Sequence, residues 1–89
     1  MPTTYQVYIL RNPQSRHYIG LSEDIATRLE QHNRGESTWT SKYRPWTLVW
    51  QSELLSLSKA RSLENLLKRQ KGGDGLYRLT GLSRPTRDS

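Results

Sequence analysis

Val7-Tyr8-Ile9-Leu10, His17-Tyr18-Ile19-Gly20-Leu21 and Arg28-Leu29-Glu30-Gln31-His32-Asn33 follow one another in a short span near the start of the chain. From Tyr5 to Leu10, β-branched and aromatic residues alternate, with Tyr5, Val7 and Ile9 on one side and Gln6, Tyr8 and Leu10 on the other. That is the period of a strand. Asn12-Pro13-Gln14-Ser15 reads as a turn, because proline fixes φ and Asn and Ser bond to nearby backbone. His17 to Leu21 forms a second short strand, so the two are expected to pair as an antiparallel hairpin. The register then matters. If paired residue numbers sum to an even value, Tyr8 and Tyr18 share a face; a one-residue slip separates them.

Working outward, Ser22 is a good helix N-cap, and Glu23 and Asp24 suit the positive end of the helix dipole. The helix is expected to run to about Asn33, with Gly35 as its stop. At about 100° per residue, Ile25 and Leu29 form its buried stripe, with Arg28 and His32 together on the flank. Residues 36–46 form a loop mixing Lys42 and Arg44 with Trp39, Tyr43 and Trp46, and Trp46 is expected to plug the core. Thr47 to Glu53 reads as a third strand, with Leu48 and Trp50 on one face and Val49 on the other. Ser56 or Ser58 caps a second helix reaching about Gln70, in which Ala60, Leu63 and Leu67 form the apolar stripe. Glu64 falls close to that stripe, and Lys68, Arg69 and Lys71 end the helix in positive charge. After Gly72-Gly73-Asp74-Gly75, a short last helix over 75–80 is expected to pack Leu76 and Leu79. The fold class is mixed α/β (α+β): a small three-stranded antiparallel sheet flanked by helices in β-β-α-β-α order, with a short C-terminal helix. Residues 1–82 make one domain, and 83–89 are expected to be a flexible tail with nothing to bury.

The bulk properties narrow the function. A chain of 89 residues, 33% of them hydrophobic, supports one domain with a modest core. Cysteine is absent, which excludes a disulfide framework and thiolate metal sites and fits a cytoplasmic setting. No apolar run approaches the ~20 residues of a membrane helix, and the first residues lack the pattern of a signal peptide. Net charge is +6 with a pI near 10.1. Arginine outnumbers lysine ten to four, and guanidinium forks match phosphate oxygens bidentately. A small basic domain with interleaved aromatics is a nucleic-acid candidate, although basic charge also serves solubility alone.

In this element order Tyr8, Tyr18, Arg28, His32 and Glu64 can converge on one face of the sheet. Singly, each has an ordinary explanation. A strand tyrosine usually packs. Arg28 can be a solvated helix arginine, His32 a partner of the helix dipole, Asn33 a helix-ending residue and Gly20 a glycine permitting close backbone approach. Glu64 can pair with Lys68 four residues on.

Together, Val7-Tyr8, then Tyr18-Ile19-Gly20, then Arg28 and His32-Asn33 resemble the GIY-YIG nuclease superfamily, in particular its small stand-alone bacterial members. The second name-giving element is intact as Tyr18-Ile19-Gly20, with Gly20 its structural glycine. The first survives as Val7-Tyr8, with Gln6 in place of the glycine, which contributes backbone rather than a reacting group. The family's arginine matches Arg28, its histidine His32, and its metal-binding glutamate Glu64 in Ser62-Leu63-Glu64-Asn65. Arg44-Pro45-Trp46 also resembles the stand-alone members. Leu21 stands where some relatives carry lysine. The resemblance covers about residues 5 to 71.

The resemblance implies a metal-dependent endonuclease that hydrolyses DNA phosphodiester bonds in repair, recombination or restriction-like processing. Tyr8 would act as general base, Tyr18 would position phosphate or water, Arg28 would clamp the scissile phosphate and His32 would accept a proton. Glu64 would hold Mg²⁺ or Mn²⁺, hard cations that suit oxygen ligands. Asn33, Lys42, Arg44, Lys68 and Arg69 are the residues expected to touch nucleic acid. Two other readings fit the same residues: a non-catalytic nucleic-acid-binding domain of this fold, and a catalytic module that depends on a partner protein for targeting.

Overall fold

A computed structural model of the protein describes residues 3–35, 41–70 and 74–81. Its elements are β1 (Gln6–Arg11), β2 (His17–Ser22), α1 (Ile25–Arg34), β3 (Thr47–Gln51), α2 (Leu57–Arg69) and α3 (Asp74–Thr80). The readings made for residues 36–40 with Trp39, for Lys71, Gly72 and Gly73, and for the tail at 83–89 lie outside the described residues.

The strands form an antiparallel sheet in the order β2-β1-β3. Across the hairpin Tyr8 lies opposite Gly20 and Leu10 opposite Tyr18. The sums are even, so Tyr8 and Tyr18 share a face. The turn is built on Asn12, which is 4% exposed. Its Oδ1 accepts from the backbone N–H of Gln14 at 3.1 Å and of Arg16 at 2.8 Å. The Asn12 N–H donates to the Arg16 carbonyl at 3.1 Å, which carries the hairpin register one residue pair past the strands.

The sheet has a core on each side. On one side Val7, Ile9 and Ile19 pack with Ala60 and Leu67 of α2 and Leu76 of α3. On the other, Tyr8 and Leu10 pack with Ile25 of α1 and with Trp46, which is 3% exposed and does plug the core. The odd and even positions of β1 therefore serve different helices, as their alternation predicts.

β3 departs from its expected pattern. Leu48 pairs with Leu10, but Trp50 pairs with Ile9, so the register shifts between these pairs and Val49 is the extra residue. An extra residue on one strand reverses the facing of the residues beyond it. Leu48 consequently joins the core on the Tyr8 side, and Trp50 joins the core beneath α2; they do not share a face. β3 ends at Gln51 rather than Glu53 because Ser52 leaves the ladder. The Ser52 Oγ accepts from the Val7 N–H at 2.9 Å, and its own N–H donates to the Val7 carbonyl at 2.8 Å. Gln6, standing where the motif glycine would be, donates from Nε2 to the Ser52 carbonyl at 2.8 Å.

The N-cap of α1 is Asp24 and not Ser22, since Ser22 is still paired in β2 with Gln6. The Asp24 carboxylate accepts from the Thr27 N–H and hydroxyl, and these bonds hold its pKa below the ordinary value. The Ser22 Oγ instead accepts from the Asp24 N–H at 2.9 Å. Gly35, at φ 82°, closes α1 in the left-handed conformation that glycine adopts without strain. Ser56 caps α2 and Gln70 ends it. In α3 Leu76 is fully buried but Leu79 is 51% exposed. Leu79 lies about 60° round the wheel from Leu76, and a helix of two turns reaching the core through Leu76 leaves that neighbour past the rim.

Candidate active site

The register brings Tyr8 and Tyr18 to one face with ring centroids 6.2 Å apart. Tyr8 is 1% exposed, and its ring lies over Gly20. A Cβ at position 20 would fall 2.7 Å from the Tyr8 hydroxyl oxygen and 3.1 Å from Cε1 of Tyr18. Space, and not backbone freedom, is what Gly20 provides.

α1 supplies the next residues. Its C-terminal half brings His32, also 1% exposed, against the sheet. The His32 Nε2 lies 3.1 Å from the Tyr8 hydroxyl, and its ring centroid is 4.6 Å from that of Tyr18. Trp46 closes the aromatic group with its ring centroid 6.3 Å from that of Tyr18. Arg28, one turn before His32, is exposed and donates from Nη1 to Gln31 Oε1 at 2.8 Å.

Charge and burial set the protonation states. Burial pushes the Tyr8 phenol up to about 12, helped by Tyr18 and by the carboxylate of Glu64 and opposed by the neighbouring Arg28 guanidinium. Burial, and after it Arg28, lowers the His32 pKa, so His32 is neutral at pH 7 and its pair with Tyr8 is a phenol beside an uncharged imidazole. Glu64 projects from α2, the helix on the opposite face, yet its charge is felt at Tyr8. The carboxylate pairs with Lys68 at 3.3 Å, the ordinary pairing open to it from sequence; its side chain is 18% exposed. Tyr8, Tyr18, Arg28 and His32 thus lie on one side of the sheet, whereas Glu64 comes from the helix packed on the other face, so the expected convergence of all five on one face does not include it.

The other expected contact residues are placed differently. Asn33 is committed to the fold: its Nδ2 donates to the Trp46 carbonyl at 3.0 Å, and its Oδ1 accepts from the Trp46 N–H at 2.7 Å. Arg44, though exposed, donates to the Ser41 carbonyl at 3.0 Å and to the Asn33 carbonyl at 3.4 Å, and so covers the end of α1. Lys42 and Arg69 are exposed, and Lys68 holds Glu64. Sequence reading passed over Gln31 and the Arg16–Tyr43 stack, and read Asn12 only as part of the hairpin turn. For Gln31 a signal was present, since it lies three residues from Arg28 on one helix. Asn12 and Tyr43 meet only through tertiary packing.

Among the described residues there is no group of three or more His, Asp or Glu side chains able to hold a metal ion. Of the five residues singled out from the sequence, Glu64 alone carries a carboxylate that could hold a cation. A hard divalent ion that keeps most of its waters and takes one or two carboxylates plus substrate oxygens fits so sparse a set. It would meet competition from the Lys68 ammonium.

Comparison with known proteins shows the family of the chain. The family model for the GIY-YIG catalytic domain matches residues 4–77. A UPF0213 protein of Streptococcus pneumoniae is 35% identical over 66 residues, covering 73% of this chain and 67% of that protein. A UPF0213 protein of Staphylococcus aureus is 36% identical over 63 residues, covering 70% of this chain and 77% of its own length. No solved structure matches the chain significantly. Among the described residues no helix is long and apolar enough to cross a membrane. With its two tyrosines on one face over Gly20, and Arg28 and His32 on the following helix, the chain belongs to the GIY-YIG family of nucleases.

Proposed function

We propose that the protein is a metal-dependent endonuclease that hydrolyses phosphodiester bonds of DNA. The observation that carries this reading is the 3.1 Å contact between the Tyr8 hydroxyl and His32 Nε2, beside Tyr18 and Arg28. With a pKa of about 12, an isolated Tyr8 phenolate at pH 7 would cost about 7 kcal/mol. A relay avoids that species. As water attacks phosphorus, its proton moves to the Tyr8 oxygen while the Tyr8 proton moves to the neutral His32 Nε2. This requires the ring proton of His32 to sit on Nδ1. The P–O bond to the leaving oxygen breaks in the same displacement, and Arg28 neutralises charge on the phosphoryl oxygens. Tyr18, in ring contact with His32, orients water or phosphate by its hydroxyl. Glu64 would hold the divalent cation, which supplies Lewis-acid polarisation of the phosphoryl group when bound.

The Glu64–Lys68 ion pair favours a second reading, a nucleic-acid-binding domain without turnover, because it neutralises the carboxylate expected to hold the cation. Glu64→Gln separates the two. A surface i,i+4 pair contributes about 0.3–0.5 kcal/mol, so the variant folds with little loss. Its Mg²⁺-dependent nicking of duplex, junction, flap and single-stranded DNA is expected to drop about 100-fold or more. Wild-type protein that binds DNA but cleaves none of the panel supports the second reading. Glu64→Gln protein that cleaves like wild type removes Glu64 from the mechanism.

A further inference from the structure

Beyond Tyr8, Tyr18, Arg28 and His32, one basic feature is built into the same face of the sheet. The Arg16 guanidinium stacks over the Tyr43 ring, 4.5 Å from its centroid. Both halves of the stack are held by Asn12. Its Oδ1 accepts from the Arg16 N–H, and its Nδ2 donates to the Tyr43 carbonyl at 3.1 Å. Asn12 itself is buried, and both bonds of the tether are part-buried. Tyr43 packs against the core that contains Tyr8, Leu10 and Trp46. Arg16 keeps the hairpin register through its carbonyl and precedes Tyr18 by two residues, so both belong to one face.

The stack occupies one face of the guanidinium and leaves its in-plane donors at the exposed surface. Among the described residues no carboxylate pairs with Arg16, and neither 12–17 nor 41–47 contains an acidic residue. Exposed Lys42 lies in the second of these segments. The acidic residues Glu23 and Asp24 lie at the start of α1, next to the opposite end of β2. Charge on the Tyr8 face therefore has a direction, positive towards the hairpin turn.

We propose that the Arg16–Tyr43 stack is a second anchor for the substrate strand, binding a backbone phosphate displaced from the scissile one towards the hairpin turn. This rests on the nuclease reading and names the direction in which the strand leaves that site. Two residues of strand span about 7 Å, which is about two nucleotide rises at 3.4 Å each. Arg16 thus sits one or two nucleotides beyond Tyr18. Because the stack already orders the side chain, on a backbone that Asn12 fixes, it loses less rotamer freedom on meeting a phosphate than a free arginine does.

The test is binding of a short DNA duplex in EDTA, where cleavage plays no part, across a salt series. Arg16→Gln is expected to weaken binding about three- to tenfold and to flatten the log–log salt slope by roughly one unit. Arg16→Lys, which keeps the charge, is expected to restore the slope, and so reports on charge even if the glutamine variant folds poorly. Arg11→Gln is the control, because Arg11 lies on the other face and donates to His17 Nε2 at 3.4 Å; its slope should stay at wild type. An unchanged slope for Arg16→Gln, or equal flattening for Arg16→Gln and Arg11→Gln, overturns the anchor while leaving cleavage by the wild type intact. A slope that responds to Arg16 alone, in protein that cleaves nothing, keeps Arg16 as a phosphate contact but removes the nuclease reading, and with it the anchor's place beside a scissile phosphate. Wild type that binds no DNA overturns both.

Discussion

Gly20 shows how a single residue couples packing to chemistry. Its backbone needs no special conformation, and what an added methyl would meet is the Tyr8 hydroxyl at 2.7 Å and Cζ at 2.8 Å. Tyr8 is enclosed by Leu10, Ile25 and Trp46 and has little room to yield. Gly20→Ala should therefore cost about 1–3 kcal/mol of stability, the usual range for overpacking, as read by urea unfolding. Whatever fraction still folds must carry Tyr8 in a displaced position, and its 3.1 Å contact with His32 is lost or lengthened. Cleavage by the folded fraction should fall by at least tenfold, since proton transfer requires hydrogen-bond reach. A folded Gly20→Ala protein with wild-type turnover would show that the Tyr8–His32 contact is dispensable. At this scale the sequence was informative about residue types and silent about neighbours. The parity of the hairpin was left open by the turn composition alone and was settled by Asn12, which fixes the register through backbone contacts at Gln14 and Arg16.

Between elements, the junction of α1 with the segment before β3 ties the aromatic group of the site to the helix. α1 ends at Arg34, one residue after Asn33, whose amide binds both the N–H and the carbonyl of Trp46. Trp46 in turn stands against Tyr18, and Tyr18 against His32. Asn33→Ala leaves the backbone groups of Trp46 without these partners in a part-buried position, which should cost about 2 kcal/mol. Because the helix end and the aromatic group move together, thermal unfolding should stay cooperative with a lower midpoint, and Asn33→Asp should recover only the part owed to the accepting oxygen. Equal stability of Asn33→Ala and wild type would show that the junction is held elsewhere. Helix and strand positions were legible because each has its period and its punctuation, Gly35 and Ser56 among them. The β3 facing was not, because a bulge inserts one residue without changing composition: Leu48 and Trp50 look like one face until the partner strand is known. Leu79 misled for a related reason, since an amphipathic spacing does not say how deeply a short helix sits. In Asn33 the sequence showed a polar residue at a helix end and left its partner thirteen residues away unseen.

Across the whole molecule, burying Tyr8 and His32 beside each other makes stability depend on pH at both ends of the range. An unfolded chain titrates His32 near 6.5 and Tyr8 near 10. In the fold His32 binds its proton less readily, so below about pH 6.5 the unfolded state takes up more protons and stability falls as pH falls, until the lowered folded pKa is passed. The contribution is complete above pH 6.5. Tyr8 behaves oppositely. Its folded pKa of about 12 means that the native state keeps a proton that the unfolded state releases, so the contribution is complete below pH 10 and is lost as pH rises towards 12. Asp24, with a lowered pKa, adds a separate loss at more acid pH as its cap bonds to Thr27 are protonated away. Urea unfolding should thus show a plateau between about pH 7 and 9, flanked by two independent declines. In Tyr8→Phe the alkaline decline should shrink by about 2 kcal/mol between pH 10 and 12 relative to wild type, while the acid decline remains; His32→Gln should do the reverse. The comparison with each variant cancels the other tyrosines and carboxylates, so a Tyr8→Phe curve parallel to wild type above pH 10 would show that Tyr8 is not held protonated by the fold. The same groups link stability to activity. If His32 must be neutral to receive the Tyr8 proton, the acid limb of the cleavage rate must follow the His32 titration, below pH 6.5, and His32→Gln must lose most of the cleavage at every pH.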